Sequence, residues 1–390
     1  MQQNETVLSL CPKARRCGGC QLQNLPYDEQ LRLKQSMVRR LTGKFCKAEP
    51  ILGMENPYRY RCKVQAAFAC GRGGRIVSGV YQSGTHHIVE VDSCLLENET
   101  ADRIIVTIRT LLGQFHLTAY DERTRRGFLR HVLVRYGCRS GQALVVLVTG
   151  TPVFPSKNAF LAELLRRCPE ITSVVQNINR AETSLVLGTQ EKVLYGPGSI
   201  EDTLCGLTFR ISPQSFYQVN PVQTEALYET AVSFAGLTGT ERVLDAYCGV
   251  GTIGLIASRH AAQVVGVEVT RSAVQDAVGN ARRNGVKNAR FLCADAGEYM
   301  TALAEAGETV DVVLMDPPRA GSSRAFLTSL LTLAPKRVVY VSCNPETLAR
   351  DLGVLTKGGY AVRRLQPVDL FPHTRHVECV AMLTKENAGE

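Results

Sequence analysis

The sequence predicts an α/β protein whose C-terminal half is a doubly wound, mostly parallel sheet with a terminal antiparallel hairpin, preceded by an α+β region. Five short apolar runs alternate with segments of helical periodicity, and a glycine-rich turn follows the first run. A last pair of runs is spaced as a hairpin. The five runs lie near 242–246, 263–268, 289–293, 310–315 and 337–342, and the pair at 360–367 and 376–384. Ligands of such sheets bind at the carboxyl ends of the strands, so the chemistry is expected there.

Composition limits the class of protein. A chain of 390 residues has room for two or three domains, and 45% hydrophobic residues are typical of a soluble globular protein. No apolar run approaches the roughly 20 residues of a membrane span. Residues 1–10 lack the pattern of a secretory signal, so we expect a cytoplasmic protein that does not enter a membrane. The formal charge of +9 favours a polyanionic partner.

The first strand of the predicted sheet leads into a glycine-rich turn. Gly249 and Gly251 would let the backbone approach a ligand closely, and a helix begins near residue 252. Glu268 ends the next strand, where a carboxylate accepts hydrogen bonds from ribose hydroxyls. The same pattern fits the dinucleotide fingerprint, so the glycines leave NAD and S-adenosylmethionine both open.

Two further strand ends carry chemistry. Asp316 is followed by Pro317 and Pro318, which remove amide donors and make a rigid lip beside the strand. Cys343 follows the buried run 338–341 and stands in a turn, where a thiolate would meet a bound substrate. A proline-terminated strand and a small core thiol are the bland alternatives.

These strand ends carry motifs that resemble those of the RNA uracil-C5 methyltransferases. Asp-Pro-Pro-Arg-x-Gly at 316–321, Ser-Cys-Asn-Pro-x-Thr at 342–347 and His-Val-Glu at 376–378 occur here in the family's order. The resemblance implies a Rossmann-like class I methyltransferase domain that uses S-adenosylmethionine. It implies that Cys343 adds to uracil C6 and that Glu378 is the general base that removes the C5 proton.

The resemblance also implies a cofactor site. Residues 216–220 match the family's Phe-x-Gln-x-Asn segment, which would lie against cofactor and target base. Asp316 is shared with the base in this interpretation, and for Asp295 a plain surface acid is an equal alternative. The residues assigned to the cofactor are Gln218, Tyr247, Gly249, Gly251, Glu268, Asp295 and Asp316.

Cysteines cluster near the start of the chain. Cys11, Cys17 and Cys20 share a glycine-containing loop, for which zinc and an iron–sulfur cluster are both open from the residues alone. The spacing is similar to the [4Fe-4S] site of part of the family, and that resemblance adds Cys94 as the fourth ligand. Uracil methylation requires no electron, so a structural role is favoured. The other members of the fourteen cysteines are expected as thiols before disulfides.

Before the catalytic half, the sequence indicates elements that would face RNA. A helix at 27–41 is expected to place Lys34 among its solvated charges. Tyr58, Arg59, Tyr60 and Arg61 alternate rings and cations, a pattern suited to base stacking with phosphate contacts. Cys62 stands where family members usually have Asn.

A helix at 98–112, strands at 128–136, 142–149 and 171–177, and a helix at 157–167 predict a small antiparallel α+β domain. Its arginine cluster is the second expected RNA surface: Arg123, Arg125, Arg126, Arg130 and Arg135.

The combined hypothesis has three regions and one activity. Residues 1–50 hold the cysteine loop and helix, 51–205 an RNA-binding domain that supplies the fourth cluster ligand, and 206–390 the methyltransferase domain. The family's N-terminal RNA-binding barrel is not expected ahead of Cys11. We expect a monomer that methylates a uridine of large-subunit (23S) ribosomal RNA. A transfer-RNA uracil methyltransferase, a small-molecule methyltransferase and a non-catalytic iron–sulfur RNA-binding protein are the alternatives.

Overall fold

Two seven-stranded sheets organise the chain, and a two-stranded hairpin lies between them in sequence. The computed structural model describes residues 11–85, 87–183 and 185–386. Residues 1–10, on which the expectation about a secretory signal rests, lie outside the described residues. None of the helices in the described part of the chain is both long and apolar enough to cross a membrane.

The first sheet is mostly antiparallel, with strand order β3-β2-β1-β4-β5-β6-β7, and only its β5–β6 pair is parallel. Helices α3 and α4 pack on one face, because both present apolar stripes to the alternate residues of β1, β4 and β5. The elements are β1 (Lys63–Cys70), β2 (Ile76–Tyr81), β3 (Ile88–Glu90), α3 (Glu99–Gln114), β4 (Leu129–Tyr136), β5 (Ala143–Thr149), α4 (Lys157–Arg167), β6 (Ile171–Ile178) and β7 (Gln190–Tyr195). The hairpin is β8 (Ile200–Leu204) and β9 (Leu207–Ile211).

The second sheet is the predicted doubly wound one. Its order is β12-β11-β10-β13-β14-β16-β15, parallel except for the antiparallel β16 that pairs with both β14 and β15. The strand order reverses between β10 and β13, which is where such sheets bind ligands. The strands are β10 (Arg242–Ala246), β11 (Gln263–Glu268), β12 (Ala289–Cys293), β13 (Val312–Met315), β14 (Arg337–Ser342), β15 (Tyr360–Val368) and β16 (Glu378–Lys385). The helices are α5 (Pro221–Ala235), α6 (Thr252–Ala257), α7 (Arg271–Arg283), α8 (Ala296–Glu305), α9 (Arg324–Leu333) and α10 (Pro345–Lys357).

The start of the chain packs on its end. Helices α1 (Ala14–Cys17) and α2 (Tyr27–Thr42) precede the first sheet, yet α2 packs against α10, and Val38 and Ala48 join the core of the second sheet. An isolated bridge between Leu52 and Val368 continues this contact to the end of β15. The predicted helix is confirmed, but Lys34 is buried with Asp369 rather than solvated.

Two arginines of the expected RNA surface are buried and serve the fold. Arg130 is 4% exposed; it pairs with Glu122 and donates to the Asn179 carbonyl at 2.7 Å. Arg135 is 3% exposed and donates to the carbonyls of Pro213 and Ser215. The interpretation of these two as RNA-facing is wrong, because their partners come from segments distant in sequence. Arg123, Arg125 and Arg126 are exposed, and Arg125 forms an ion pair with Glu182.

The basic and aromatic residues near Tyr60 also have internal partners. Tyr58 stacks on His373 with ring centroids 4.7 Å apart, and the Tyr60 hydroxyl donates to the Pro372 carbonyl at 3.0 Å. Arg59 contacts Asp102 and the Cys94 carbonyl. Tyr60 is buried, so its predicted use for base stacking is wrong. Tyr58 is half-buried with one face on His373, and its predicted use stays a prediction.

One disulfide departs from the expectation that the cysteines are thiols. It joins Cys62, at the start of β1, to Cys138 in the turn between β4 and β5. The Cys62 amide donates to the Val219 carbonyl at 2.8 Å, so the bonded pair lies beside the segment that contains Gln218. The cysteine that replaces the family's usual Asn thus connects two strands of the first sheet next to the catalytic half.

The burial of Arg130 leads to a stability prediction. Arg130→Ala should lower the free energy of unfolding by about 2 kcal/mol or more, because the Asn179 and Ala181 carbonyls lose their charged donor. Arg126→Ala removes an exposed arginine nearby and should change it by less than about 0.5 kcal/mol. Urea unfolding followed by circular dichroism measures both. Equal effects of the two changes would contradict a structural role for Arg130.

Candidate active site

The catalytic groups predicted from the motifs meet at the carboxyl edge of the second sheet. Cys343 follows β14, Asp316 follows β13, and Glu378 begins β16. The charges of Glu378 and Asp316 both raise the pKa of Cys343, and the charge of Asp316 raises the pKa of Glu378. These groups are close enough to act on each other's protons, as the adjacent strand ends predict.

Burial dominates the electrostatics of this edge. Desolvation raises the pKa of Asp316 to about 7 and, together with the charge of Asp316, raises the pKa of Glu378 to about 8. Burial and the two carboxyls raise the pKa of Cys343 to about 11. The two neighbouring carboxyls therefore oppose formation of the thiolate. Protons held by Asp316 and Glu378 would remove most of the repulsion that the thiolate meets.

Arg319 is a functional residue for which sequence reasoning found no role. Its charge lowers the pKa of both Cys343 and Glu378, which burial otherwise raises. Its carbonyl accepts hydrogen bonds from Asn344 and Thr347, and its guanidinium lies 3.5 Å from His376. The motif at 316–321 contained Arg319, and a cation there was the available signal for thiolate stabilisation.

Gln218 joins the same group. It lies within hydrogen-bonding reach of the Tyr228 hydroxyl, whose pKa burial raises together with the charges of Asp316 and Glu378. Phe216, two residues earlier, is 67% exposed. Asn220 ends the segment, caps α5 and donates to the Leu370 carbonyl at 2.9 Å. The predicted Phe-x-Gln-x-Asn segment therefore borders the catalytic groups.

The two glycines of the turn have different surroundings. A Cβ on Gly251 would stand 2.9 Å from the Phe291 ring, so that glycine is required for packing. A Cβ on Gly249 would enter open space, and the φ of Gly249 is +53°. The Gly249 amide donates to Glu268 at 3.2 Å. The open side of this turn is thus next to the carboxylate that was predicted to bind ribose.

Tyr247 and Asp295 lie farther along the same edge. Tyr247 has a φ of +64°, the left-handed region that non-glycine residues rarely adopt outside functional sites, and its ring packs on Phe326. Burial and the nearby charge of Asp295 raise the pKa of Tyr247. The Asp295 side chain caps α8 by accepting from the Gly297 and Glu298 amides.

The edge suits a cationic ligand. Four acidic side chains lie along this edge: Asp245, Glu268, Asp316 and Glu378. Burial raises the pKa of Asp245 to about 7. The Asp245 carboxylate accepts a hydrogen bond from the Gly254 amide. The positive charge of a sulfonium group would stabilise these carboxyls in their ionised form. The residues present therefore fit S-adenosylmethionine, with the open turn at Gly249 on one side and Asp316 on the other.

The cysteine loop is only partly assembled for a metal. The Cys20 thiol is close to those of Cys11 and Cys17, whose charges add to burial in raising its pKa. The charge of Arg61 acts to lower the pKa of Cys20, and the charge of Cys94 acts to raise the pKa of Arg61. Within 11–85, 87–183 and 185–386, no group of three His, Cys, Asp or Glu side chains has a metal-binding arrangement. The donor chemistry of four thiols suits an iron–sulfur cluster, but the described residues do not form a metal site, so the cluster stays a prediction.

The raised pKa of Glu378 leads to a prediction for stability. The folded protein keeps a proton that the unfolded chain releases above its ordinary pKa of 4.5, so this contribution is complete below that pH and is lost as pH rises through about 8. Glu378→Gln cannot ionise, so its stability should fall less than that of the wild type between about pH 5 and pH 9. Thermal unfolding across that range measures the difference. Glu346→Gln, at an exposed position, is the control, and parallel curves for wild type and Glu378→Gln would refute the assignment.

Comparison with known proteins agrees with this geometry. A family model described as tRNA (uracil-5-)-methyltransferase matches residues 27–386. An uncharacterized RNA methyltransferase of Halalkalibacterium halodurans is 44% identical over 98% of this chain and 84% of its own length. An uncharacterized RNA methyltransferase of Clostridium tetani is 43% identical over 96% of this chain and 82% of its own.

A solved structure extends the similarity to the fold. The tRNA (uracil-54, C5)-methyltransferase of Pyrococcus abyssi, in complex with S-adenosyl-L-homocysteine, superposes with a TM-score of 0.80 at 28% identity, over 94% of this chain and 86% of that one. The family resemblance of the motifs and the class I fold are thereby confirmed. The chain belongs to the tRNA (uracil-5-)-methyltransferase family, the S-adenosylmethionine-dependent enzymes that methylate uracil C5 in RNA.

Proposed function

We propose that this protein methylates C5 of a uridine in 23S ribosomal RNA, with Cys343 as nucleophile and Glu378 as general base. The observation that carries the proposal is the meeting of Cys343, Asp316 and Glu378 at one desolvated sheet edge beside the open turn at Gly249. Cofactor contacts are assigned to Gln218, Tyr247, Gly249, Glu268, Asp295 and Asp316, and Gly251 supports the turn.

The chemistry follows from the weakness of uracil C5 as a nucleophile. The Cys343 thiol loses its proton to solvent, and the thiolate sulfur bonds C6 while the C5–C6 π electrons shift onto C5 and the C4 carbonyl, which gives C5 the character of an enolate. S-adenosylmethionine supplies the electrophilic methyl group that C5 takes. Glu378 then accepts the C5 proton, the electron pair re-forms the C5–C6 double bond, and the Cys343 sulfur leaves. A base with a pKa near 8 is well matched to this step at neutral pH.

Arg319 and the carboxyls control when the thiolate forms. The guanidinium favours the thiolate, whereas ionised Asp316 and Glu378 oppose it. At pH 7 a pKa of about 7 leaves Asp316 about half protonated and a pKa of about 8 leaves Glu378 mostly protonated, so the thiolate forms against reduced repulsion. Glu378 must release its own proton before it accepts the one from C5. The uracil must leave its stack to reach this buried edge, so a flipped or single-stranded nucleotide is expected.

The cysteine loop favours ribosomal over transfer RNA. Cys11, Cys17, Cys20 and Cys94 resemble in their spacing the cluster-bearing ribosomal enzymes, and the charges of Cys17 and Cys11 act on the Cys20 thiol. The similarity to the transfer-RNA enzyme of Pyrococcus abyssi favours the alternative substrate. Of the expected RNA-facing arginines, Arg123 and Arg126 remain exposed, and Arg15 and Arg16 are exposed in the cysteine loop. We assign phosphate contacts to these cations.

Nucleoside mass mapping tests the substrate. Cells that lack this gene should lose 5-methyluridine from 23S ribosomal RNA, and the wild-type gene should restore it. Cys343→Ala should not restore it, because no thiolate can activate C5, although the variant should still bind S-adenosylmethionine. Loss from the transfer-RNA fraction would establish the alternative substrate. Unchanged 5-methyluridine in both fractions would indicate a non-catalytic RNA-binding protein.

Metal analysis tests the cluster. Protein purified without oxygen should be brown and contain about four irons and four sulfides per chain. Cys20→Ser should lose both, because it removes one of the four proposed thiolate ligands, whereas Cys70→Ser changes an exposed cysteine outside that set and should not. Stoichiometric zinc without sulfide would overturn the assignment.

A further inference from the structure

The loop at 369–377, which joins β15 to β16 and leads into Glu378, is held by the start of the chain. The amide of Leu22 donates to the His373 carbonyl at 3.0 Å, and the amide of Arg375 donates to the Gln21 side chain at 3.4 Å. Segments 21–34 and 58–60 therefore supply much of the loop's bonding. The loop's conformation depends on residues that precede the first sheet.

A buried ion pair forms the first of these contacts. Lys34 Nζ donates to Asp369 Oδ1 at 2.5 Å and to the Phe371 carbonyl at 3.0 Å, and the two side chains are 1% and 0% exposed. The Tyr27 hydroxyl donates to the other carboxylate oxygen at 2.9 Å. Because desolvation offsets most of the attraction in a buried pair, its best-attested use is to select one arrangement of the chain.

The middle of the loop is held just as closely. The His373 amide donates to the Gln30 side-chain oxygen at 2.9 Å, and the imidazole lies under the Tyr58 ring. His373 has a φ of +66°, a conformation that persists only where the surroundings over-determine it. The Tyr60 hydroxyl bonds the preceding carbonyl, that of Pro372.

These contacts bear directly on the position of Glu378. Asp369 immediately follows Val368, and Val368 is the residue that pairs with Glu378 across β15 and β16. An ion pair that fixes Asp369 therefore fixes the open end of the strand pair from which Glu378 projects. Cys343 is held differently, since Ser342 and Asn344 bond each other and Asn344 also bonds the Arg319 carbonyl.

We propose that Lys34 and Asp369 are positioning residues for proton removal: their ion pair sets the loop 369–377 and, through it, the place of the Glu378 carboxylate relative to uracil C5. The inference rests on the proposed function, in which Glu378 takes the C5 proton. Loss of the pair should slow that step and leave attack by Cys343 and binding of S-adenosylmethionine unchanged.

Uridine and 5-fluorouridine RNA separate the two steps. With either RNA, the sulfur of Cys343 bonds C6 and C5 gains the methyl group. With uridine the C5 proton passes to Glu378 and the carbon–sulfur bond breaks. With fluorine at C5 no proton is available, so the adduct persists. The rate of trapping by 5-fluorouridine RNA therefore reports attack and methyl transfer, whereas turnover on uridine RNA also reports proton removal.

The test compares Lys34→Met with Arg32→Met. Both changes remove a cation from α2, but Arg32 is exposed and pairs with Asp28 on the same helix. Lys34→Met should lower kcat on uridine RNA by roughly tenfold to a hundredfold, with the Kd for RNA, the Kd for S-adenosylmethionine and the rate of trapping each within about twofold of wild type. Covalent adduct should accumulate on uridine RNA, as expected for Glu378→Gln. Arg32→Met should resemble wild type, and Lys34→Arg should recover much of the turnover.

Two further variants keep the test decisive if Lys34→Met does not fold. Tyr60→Phe removes a single hydrogen bond to the same loop and should lower kcat by a few-fold while trapping is unchanged. Lys34→Met/Asp369→Asn leaves no unpaired buried charge, so it should recover thermal stability but not turnover. Normal turnover in Lys34→Met, or in Tyr60→Phe if Lys34→Met does not fold, overturns the inference. So does a loss of trapping in proportion to turnover. Wild-type protein that is not trapped overturns the proposed function as well.

Discussion

The site depends on one constraint, which is that three ionisable groups, Cys343, Asp316 and Glu378, are removed from water at the same place. Cys343 and Asp316 follow strands and Glu378 begins one at the same poorly hydrated edge, where burial raises the pKa of all three, the charge of Asp316 adds to the shift of Glu378, and both carboxyls add to the shift of Cys343. Such an edge is stable only if protons or cations neutralise it. Arg319 provides one fixed cation, and a sulfonium ligand would provide a second. The same arrangement that penalises negative charge thus favours the cationic methyl donor that the family uses.

The start of the chain packs against the loop before the last strand, and this contact helps to hold the site. The last strand pair carries Glu378, and the loop before it accepts hydrogen bonds from Asn220 and Gln223 at the start of α5. The segment at 21–60 crosses over the second sheet before it enters the first and supplies further contacts, including the buried pair of Lys34 and Asp369. The loop beside the site therefore depends on a segment that precedes the first sheet in the chain. A methyltransferase sheet without this segment would lack the partners of Asp369 and His373.

Apolar periodicity predicted the elements well, and it predicted side-chain surroundings poorly. Runs such as 242–246 and 337–342 are strands as expected, because a strand buried on both faces must be apolar throughout. Motif order placed Cys343, Asp316 and Glu378 together, since parallel strand ends share an edge. Lys34, Arg130 and Tyr60 were misinterpreted for one physical reason. A charged or aromatic residue looks solvent-facing until a partner far along the chain is known, and Asp369, Asn179 and Pro372 are such partners.

The position of the cysteine loop suggests why a cluster without electron-transfer work would be retained. Gln21 and Leu22 follow Cys20 directly, and both bond the loop that precedes Glu378. A short loop with few buried apolar side chains cannot hold these two residues still by packing alone. Metal–thiolate bonds from Cys11, Cys17, Cys20 and Cys94 would restrain it without needing a core. On this argument the proposed cluster serves catalysis mechanically, because the restraint passes from Cys20 through Gln21 and Leu22 to the residues that place the general base.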